Sequence, residues 1–166
     1  MRLFPYNRAA AVRYAHAWAY GRNPRFYDYE LIGGDCTNFA SQCLYAGSLI
    51  MDYTPTYGWY YIDANHKAPA WTGVTYLYNY LTRGHTAVGP AAHDVPISEI
   101  EPGDVVQLAF EAAQWAHSPV VVSVGEPRSY ENILVAAHSY DADNRPLASY
   151  QFAEARFLHV IGVYKP

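Results

Sequence analysis

The N-terminal half of the chain repeats its apolar residues with the period of an α-helix. Asn7, a residue type that caps helices, precedes an apolar face that predicts a helix ending near Tyr20. A second amphipathic helix is expected from about Thr72 to just before Gly84. Residues 48–69, between the periodic stretches, are rich in Tyr and Trp and follow neither period, so we expect a long covering loop there.

One further periodic stretch carries a cysteine at its start. Its apolar positions recur at i, i+3, i+4, i+7 and i+8, and they are Cys36, Phe39, Ala40, Cys43 and Leu44. Asp35 is expected to cap this helix and Gly47 to end it. At a helix N-terminus, unpaired N–H groups and the helix dipole favour a thiolate over a thiol. Because free cysteine is also among the most often buried residue types, Cys36 is a nucleophile only if a general base lies nearby.

The pattern changes after residue 97 to short apolar segments separated by turns. Strands are predicted at residues 104–110, 116–124, 133–139 and 156–163, with a polar turn over residues 141–146. Because the connections are short, consecutive strands should pair antiparallel. Helices followed by a sheet predict an α+β fold, and we expect a single domain over residues 1–166.

Composition narrows the possible functions. The chain has 166 residues, of which 51% are hydrophobic and 16% charged, which is enough for one buried core. A formal net charge of -4 and the lack of a basic run argue against nucleic acid or an anionic membrane surface as the partner. No apolar run approaches the ~18 residues of a membrane span, nor has the N-terminus the pattern of a signal peptide. A soluble monomer is expected, and the sequence is equally compatible with an extracellular or cell-wall domain cut from a longer chain.

Two histidines interrupt apolar strands in the C-terminal half. His117 opens one predicted strand and His138 closes the next. In antiparallel neighbours the start of one strand lies beside the end of the other, so both imidazoles are expected at one edge of the sheet. If Cys36 packs against that edge, His117 can take the thiol proton while His138 accepts a hydrogen bond from His117 and fixes its tautomer. Asp141, just beyond His138, is the alternative for this third role.

Several short motifs, taken in order, resemble the putative amidase domain family of bacteria. They are DCTNFASQC at 35–43, WTG at 71–73, PGDVV at 102–106, WAHS at 115–118 and AHS at 137–139. This family is related to the NlpC/P60 and CHAP cysteine peptidases and amidases, which share a papain-like core of a catalytic helix packed on an antiparallel sheet. The resemblance implies that fold, with Cys36 as nucleophile, His117 as base and a polar third member at His138 or Asp141. It also implies peptidoglycan stem peptides as the substrate class.

The leading hypothesis is therefore a cysteine hydrolase of amide bonds that works through an acyl-enzyme, with no metal or other cofactor. The aromatic residues of 53–61 are expected to form one wall of its substrate groove. A second hypothesis is a module that keeps the fold without the catalysis and binds glycan or peptide on its Tyr and Trp surface. A metal-dependent amidase built from His117, His138 and Asp141 is disfavoured, because the sequence has no HxxxH or comparable pair.

Overall fold

Helices dominate the first half of the molecule and strands the second. In the computed structural model, which describes residues 1–166, the first half contains β1 (Arg2–Phe4), α1 (Arg8–Trp18), α2 (Cys36–Ser48), β2 (Tyr61–Asp63), β3 (His66–Lys67), α3 (Pro69–Thr72) and α4 (Val74–Leu81). The second half contains β4 (Gly89–Val95), β5 (Val105–Glu111), β6 (Gln114–His117), β7 (Val120–Ser123), β8 (Leu134–Ala137), β9 (Ala142–Pro146) and β10 (Glu154–Lys165). The fold is mixed α/β, in the order that the sequence predicts. No helix is both long enough and apolar enough to cross a membrane.

The strands of the second half, together with β1, form one eight-stranded sheet. Its order is β1-β10-β5-β7-β8-β9, with β4 also paired to β10 and β6 to β5. Every pairing is antiparallel, as predicted. β2 and β3 form a separate two-stranded hairpin within the segment expected to be a loop.

Both faces of the central strands are buried. Val105 of β5 and Val120 of β7 belong to a cluster of 26 buried residues that includes the inward faces of α1, α2 and α4. Their neighbours Val106 and Val121 belong to a second cluster of 8 buried residues on the opposite face of the sheet. Burial on both faces explains why these strands read as continuous apolar runs rather than as alternating ones.

The start of α1 matches its prediction closely. Asn7 caps the helix, with its side-chain oxygen accepting a hydrogen bond from the backbone N–H of Ala10 at 3.0 Å. The helix ends at Trp18 rather than near Tyr20. The helix predicted from about Thr72 to just before Gly84 corresponds to α4, which begins at Val74 and ends at Leu81, and the short helix α3 precedes it.

Neither end of α2 is formed by the interaction that the sequence predicted. Asp35 occupies the N-cap position, but its carboxylate forms no cap hydrogen bond. The helix passes through Gly47 and ends at Leu49, which adopts a left-handed conformation with φ 57°. Gly47 instead permits close packing, because a Cβ at this position would collide with the ring of Tyr6. The glycine therefore marks a close contact within the helix and not its end.

The segment predicted as a polar turn is an edge strand. Residues Ala142–Pro146 form β9 and pair with β8, with Arg145 opposite Val135. Edge strands tolerate polar residues and proline, so a polar strand of this kind resembles a turn in sequence. The strand predicted at 116–124 is interrupted, and its two parts are β6 and β7. β4 lies in a region where no strand was predicted.

Candidate active site

Cys36 opens α2 and lines a cleft with a volume of about 710 Å³. Its Sγ donates to the carbonyl oxygen of Ala116 at 3.8 Å and lies 3.7 Å from the hydroxyl of Thr37. The other four apolar residues on this face of α2 are completely buried, whereas Cys36 is partly exposed. Cys36 is therefore the residue at which this face of α2 reaches the cleft.

His117, the last residue of β6, lines the same cleft. Its ring is 5% exposed and lies between Phe110 and Tyr150, at ring-centroid distances of 6.2 Å and 5.4 Å. The imidazole forms no hydrogen bond within the chain, to Cys36 or to any other residue. The structure therefore brings Cys36 and His117 together in one cleft and leaves the imidazole nitrogens free.

Burial sets the protonation state of both groups. It raises the pKa of the Cys36 thiol, and hydrogen bonds from Thr37 and the backbone oppose this effect only in part. Burial and the positive charge of Arg145 lower the pKa of His117 to about 4. At neutral pH the pair is a thiol and a neutral imidazole, in contrast to the thiolate expected at a helix start. For a thiol in this state to act as a nucleophile, a base must take its proton as the sulfur attacks.

His138 follows β8 and does not reach His117. It is 1% exposed, and its Nδ1 lies 2.6 Å from Oδ2 of Asp35. Its Nε2 lies 2.8 Å from the carbonyl oxygen of Trp18 and 3.1 Å from Nη1 of Arg22. Both ring nitrogens are therefore engaged, and the expected hydrogen bond between His138 and His117 is absent.

Asp141, like His138, has hydrogen-bond partners other than His117. Its carboxylate accepts two hydrogen bonds from Arg22, at 2.9 Å and 3.1 Å, and forms none with His117. Burial lowers the pKa of Arg22, but hydrogen bonds and charges from Asp141 and Asp28 outweigh burial and raise it above its usual value. The residues of this ionic cluster are Arg22, Asp28, Glu30, Asp35, His138 and Asp141.

Asp35, which directly precedes Cys36, is held by contacts within and around the ionic cluster. One oxygen of Asp35 accepts from the backbone N–H of Tyr29 and the side-chain amide of Asn38, both at 2.9 Å. Its other oxygen contacts His138. Because Asp35 is directly bonded to Cys36, these contacts fix the start of α2.

Comparison with known proteins identifies the family of the chain. Residues 5–161 match the family model described as a putative amidase domain. The chain belongs to this family. It is 31% identical over 146 residues to the uncharacterized protein YhbB of Bacillus subtilis strain 168, a match that covers 87% of this chain and 45% of YhbB. The amidase domain thus spans about half the length of this relative. No solved structure shows a match.

The aromatic segment 53–61 does not line the cleft of the amidase domain. Trp59 and Tyr61 are buried in the large core cluster, and Tyr57 lines a separate cavity of about 330 Å³. The rings that border the cleft come from Phe110, Tyr140 and Tyr150. The prediction that the aromatic residues of 53–61 form a wall of the substrate groove is therefore wrong. Apolar packing against Trp71 and Tyr80 draws the Trp59 ring inward instead.

Two residues that line the cleft around Cys36 were not predicted from the sequence. Arg145 lies on β9, the edge strand that resembled a turn, and Tyr150 lies in the connection after it. Recognition of β9 as the strand paired with β8 would have placed Arg145 opposite Val135, three residues before His138. No sequence signal distinguishes Tyr150 from the other tyrosines. The chain contains no group of three or more His, Cys, Asp or Glu side chains arranged to hold a metal ion.

Proposed function

We propose that this amidase domain is a cysteine hydrolase of amide bonds, with Cys36 as the nucleophile and His117 as the general base. The observation that carries the proposal is that both side chains line one cleft and the imidazole has no competing hydrogen-bond partner. A neutral imidazole beside a thiol retains the lone pair that must accept the thiol proton. The family to which the chain belongs supports the amide as the bond that is cut.

The reaction begins when His117 accepts the thiol proton and Sγ attacks the amide carbonyl carbon. A bond forms between sulfur and carbon, and the carbonyl oxygen becomes an oxyanion. The backbone N–H of Cys36, in the first turn of α2, is one donor to that oxygen, because the first N–H groups of a helix have no intrahelical partner. The carbon–nitrogen bond then breaks, His117 protonates the leaving amine, and a thioester remains.

Water completes the cycle. His117, neutral again, removes a proton from a water molecule as its oxygen attacks the thioester carbon. The carbon–sulfur bond breaks, the sulfur recovers its proton from His117, and the carboxylic acid product leaves. The two half-reactions use the same pair of side chains, so no further group is needed for proton transfer.

In this proposal His138 and Asp141 are positioning residues. His138 contacts the carboxylate of Asp35, and Asp141 contacts Arg22, so both act through the loop that presents Cys36. The rings of Phe110 and Tyr150 confine His117 by packing, in place of the hydrogen bond expected from a third triad member.

The proposal includes kinship with NlpC/P60 and CHAP enzymes and a papain-like fold. A cysteine at the start of a helix, against an antiparallel sheet that carries a histidine, supports this kinship. Peptides of the cell wall are the proposed substrate class, and a cell-wall or extracellular location follows from that substrate. The volume of the cleft, about 710 Å³, suits a ligand of a few residues.

Replacement of Cys36 tests the proposal. Cys36→Ala and Cys36→Ser should abolish turnover of a panel of muropeptides and peptide amides, followed by chromatography of the products. The matched control is Cys43→Ala, which removes the buried thiol seven residues further along α2 and should leave turnover intact. Intact-mass analysis of the unaltered protein, quenched during turnover, should detect the thioester.

Two outcomes would count against the enzyme. Turnover that survives both Cys36 substitutions excludes Cys36 as the nucleophile. Panel members that bind the unaltered domain without being cleaved would instead support a module that binds peptide or glycan.

A further inference from the structure

The cleft around Cys36 contains one charged side chain, that of Arg145. None of the residues that line it is acidic, and His117 is neutral at pH 7 because burial holds its pKa near 4. Arg145 forms no ion pair anywhere in the chain. Arg8 and Arg22 differ in this respect, since Arg8 pairs with Asp104 and Arg22 with Asp141.

The Arg145 guanidinium is nevertheless held in place. Its Nε donates to the hydroxyl of Ser149 at 2.7 Å, and Nη2 donates to the carbonyl oxygen of Ser149 at 3.3 Å. Its central carbon lies 3.6 Å from the ring centroid of Tyr150, a cation–π contact. A guanidinium has five N–H donors, and these contacts use two of them, so three remain available.

The position of Arg145 relates it to the reacting groups. The Tyr150 ring, against which the guanidinium packs, lies 5.4 Å from the His117 ring. The charge of Arg145 is close enough to His117 to contribute to the lowering of its pKa. A fixed, unpaired guanidinium at this location attracts an anion, and its planar fork matches the two oxygens of a carboxylate.

We propose that Arg145 binds a carboxylate of the substrate next to the amide that is cut. This inference rests on the proposed function and narrows its substrate to acidic peptides, in which a residue flanking the cleaved bond carries a free carboxylate. A bound carboxylate would also neutralise the charge that lowers the pKa of His117, and so strengthen the base when the correct substrate is present.

Paired substrates test this inference. Two peptides differ only in a carboxylate or a carboxamide on the residue that flanks the scissile amide, and a second pair places the same change on the other flank. The unaltered domain should prefer the carboxylate of one pair by about 10- to 100-fold in kcat/KM, the range for a charge-assisted hydrogen bond. Arg145→Gln should bring that preference close to one, and Arg145→Lys should restore part of it.

Two control variants separate recognition from local structure. Ser149→Ala removes a partner of the guanidinium while keeping the charge, and should retain a preference for the carboxylate. Arg13→Gln removes an exposed charge on α1 and should leave the preference unchanged. A preference that is the same in Arg145→Gln as in the unaltered domain would overturn the inference, while dependence on Cys36 would still support the proposed function.

Binding gives an answer that does not depend on turnover. In the Cys36→Ala background, isothermal titration calorimetry should show tighter binding of the carboxylate peptide than of the carboxamide peptide. Adding Arg145→Gln should remove the difference. Equal affinities of both peptides for Cys36→Ala would overturn the carboxylate site, whether or not the domain cleaves amides.

Discussion

Two adjacent residues, Asp35 and Cys36, face two different histidines. His138 contacts Asp35 and is 1% exposed, while His117 shares the cleft with Cys36 and is 5% exposed. Their burial is almost the same, but their hydrogen bonding is opposite. Both nitrogens of His138 have partners in the chain, and neither nitrogen of His117 has one.

This difference in hydrogen bonding suits the two histidines to different roles, one in positioning and one in proton transfer. A buried imidazole whose nitrogens are both engaged is held rigidly, and its loss leaves its partners unsatisfied. A buried imidazole without partners contributes little through hydrogen bonds but can accept a proton from a neighbouring thiol. Hydrogen-bond partners, more than burial, therefore distinguish the proposed general base from the proposed positioning residue.

The largest expected effect is on catalysis by a His117 variant. His117→Gln should lower kcat by about 10²- to 10⁴-fold, the usual contribution of a general base. Its melting temperature, measured by circular dichroism, should stay close to that of the unaltered domain, because no hydrogen bond is lost. His66→Gln, at an exposed position, is the matched control and should retain activity. A fully active His117→Gln would exclude this residue as the base.

The opposite result is expected for His138. His138→Ala should lower the free energy of unfolding by about 3 kcal/mol, since it leaves the buried carboxylate of Asp35 without that partner. Urea denaturation measures this loss, and Asp35→Asn with the double variant should show strong coupling between the two side chains. An unchanged unfolding free energy combined with a large loss of kcat would instead return His138 to the role of a third triad member.

The position of Cys36 and the strand pairing near His117 could be predicted from the sequence. The helical period placed Cys36 at the start of α2, and the apolar runs predicted the antiparallel pairing of β7 with β8, in which Val120 lies opposite Ala136. Both features result from local periodicity and short connections, which a single sequence records directly. They were enough to expect His117 near the thiol.

The contacts of His138 could not be predicted, because they depend on features that periodicity does not record. His117 lies on β6 opposite Leu108 of β5, because the predicted continuous strand is broken before β7. Because of that break, His117 is not part of the pairing between β7 and β8. His138, which follows β8, therefore contacts Asp35 and not His117. The ion pairs of Arg22 also join residues far apart in sequence, and no pattern of apolar positions specifies them.

A smaller effect is expected in the pH dependence. The pKa of His117 is lowered to about 4, so kcat/KM should hold a plateau at neutral pH and fall as the pH drops through about 4, where the imidazole becomes protonated. Arg145→Gln removes a positive charge that disfavours the imidazolium, and should move this acid limb to higher pH while burial keeps it below the ordinary value. Arg13→Gln should leave the limb unchanged.

Initial rates from pH 3 to 8, with circular dichroism in the same buffers, distinguish titration from unfolding. An acid limb that stays in place in Arg145→Gln would show that the guanidinium does not act on the base. A limb near the ordinary histidine value in the unaltered domain would mean that His117 is more solvated during turnover than its 5% exposure implies.

The smallest effect is expected for Asp141. Its side chain is 28% exposed, and Arg22 would keep its contacts with Asp28 and Glu30 after Asp141→Asn. The free energy of unfolding should fall by about 0.5–1 kcal/mol, as for a partly exposed ion pair, and kcat should change less than about twofold. If Asp141 instead orients His117 during turnover, kcat should fall by at least about tenfold while urea denaturation stays unchanged. Measuring both quantities on one variant therefore decides whether Asp141 stabilises the loop before Cys36 or takes part in the chemistry.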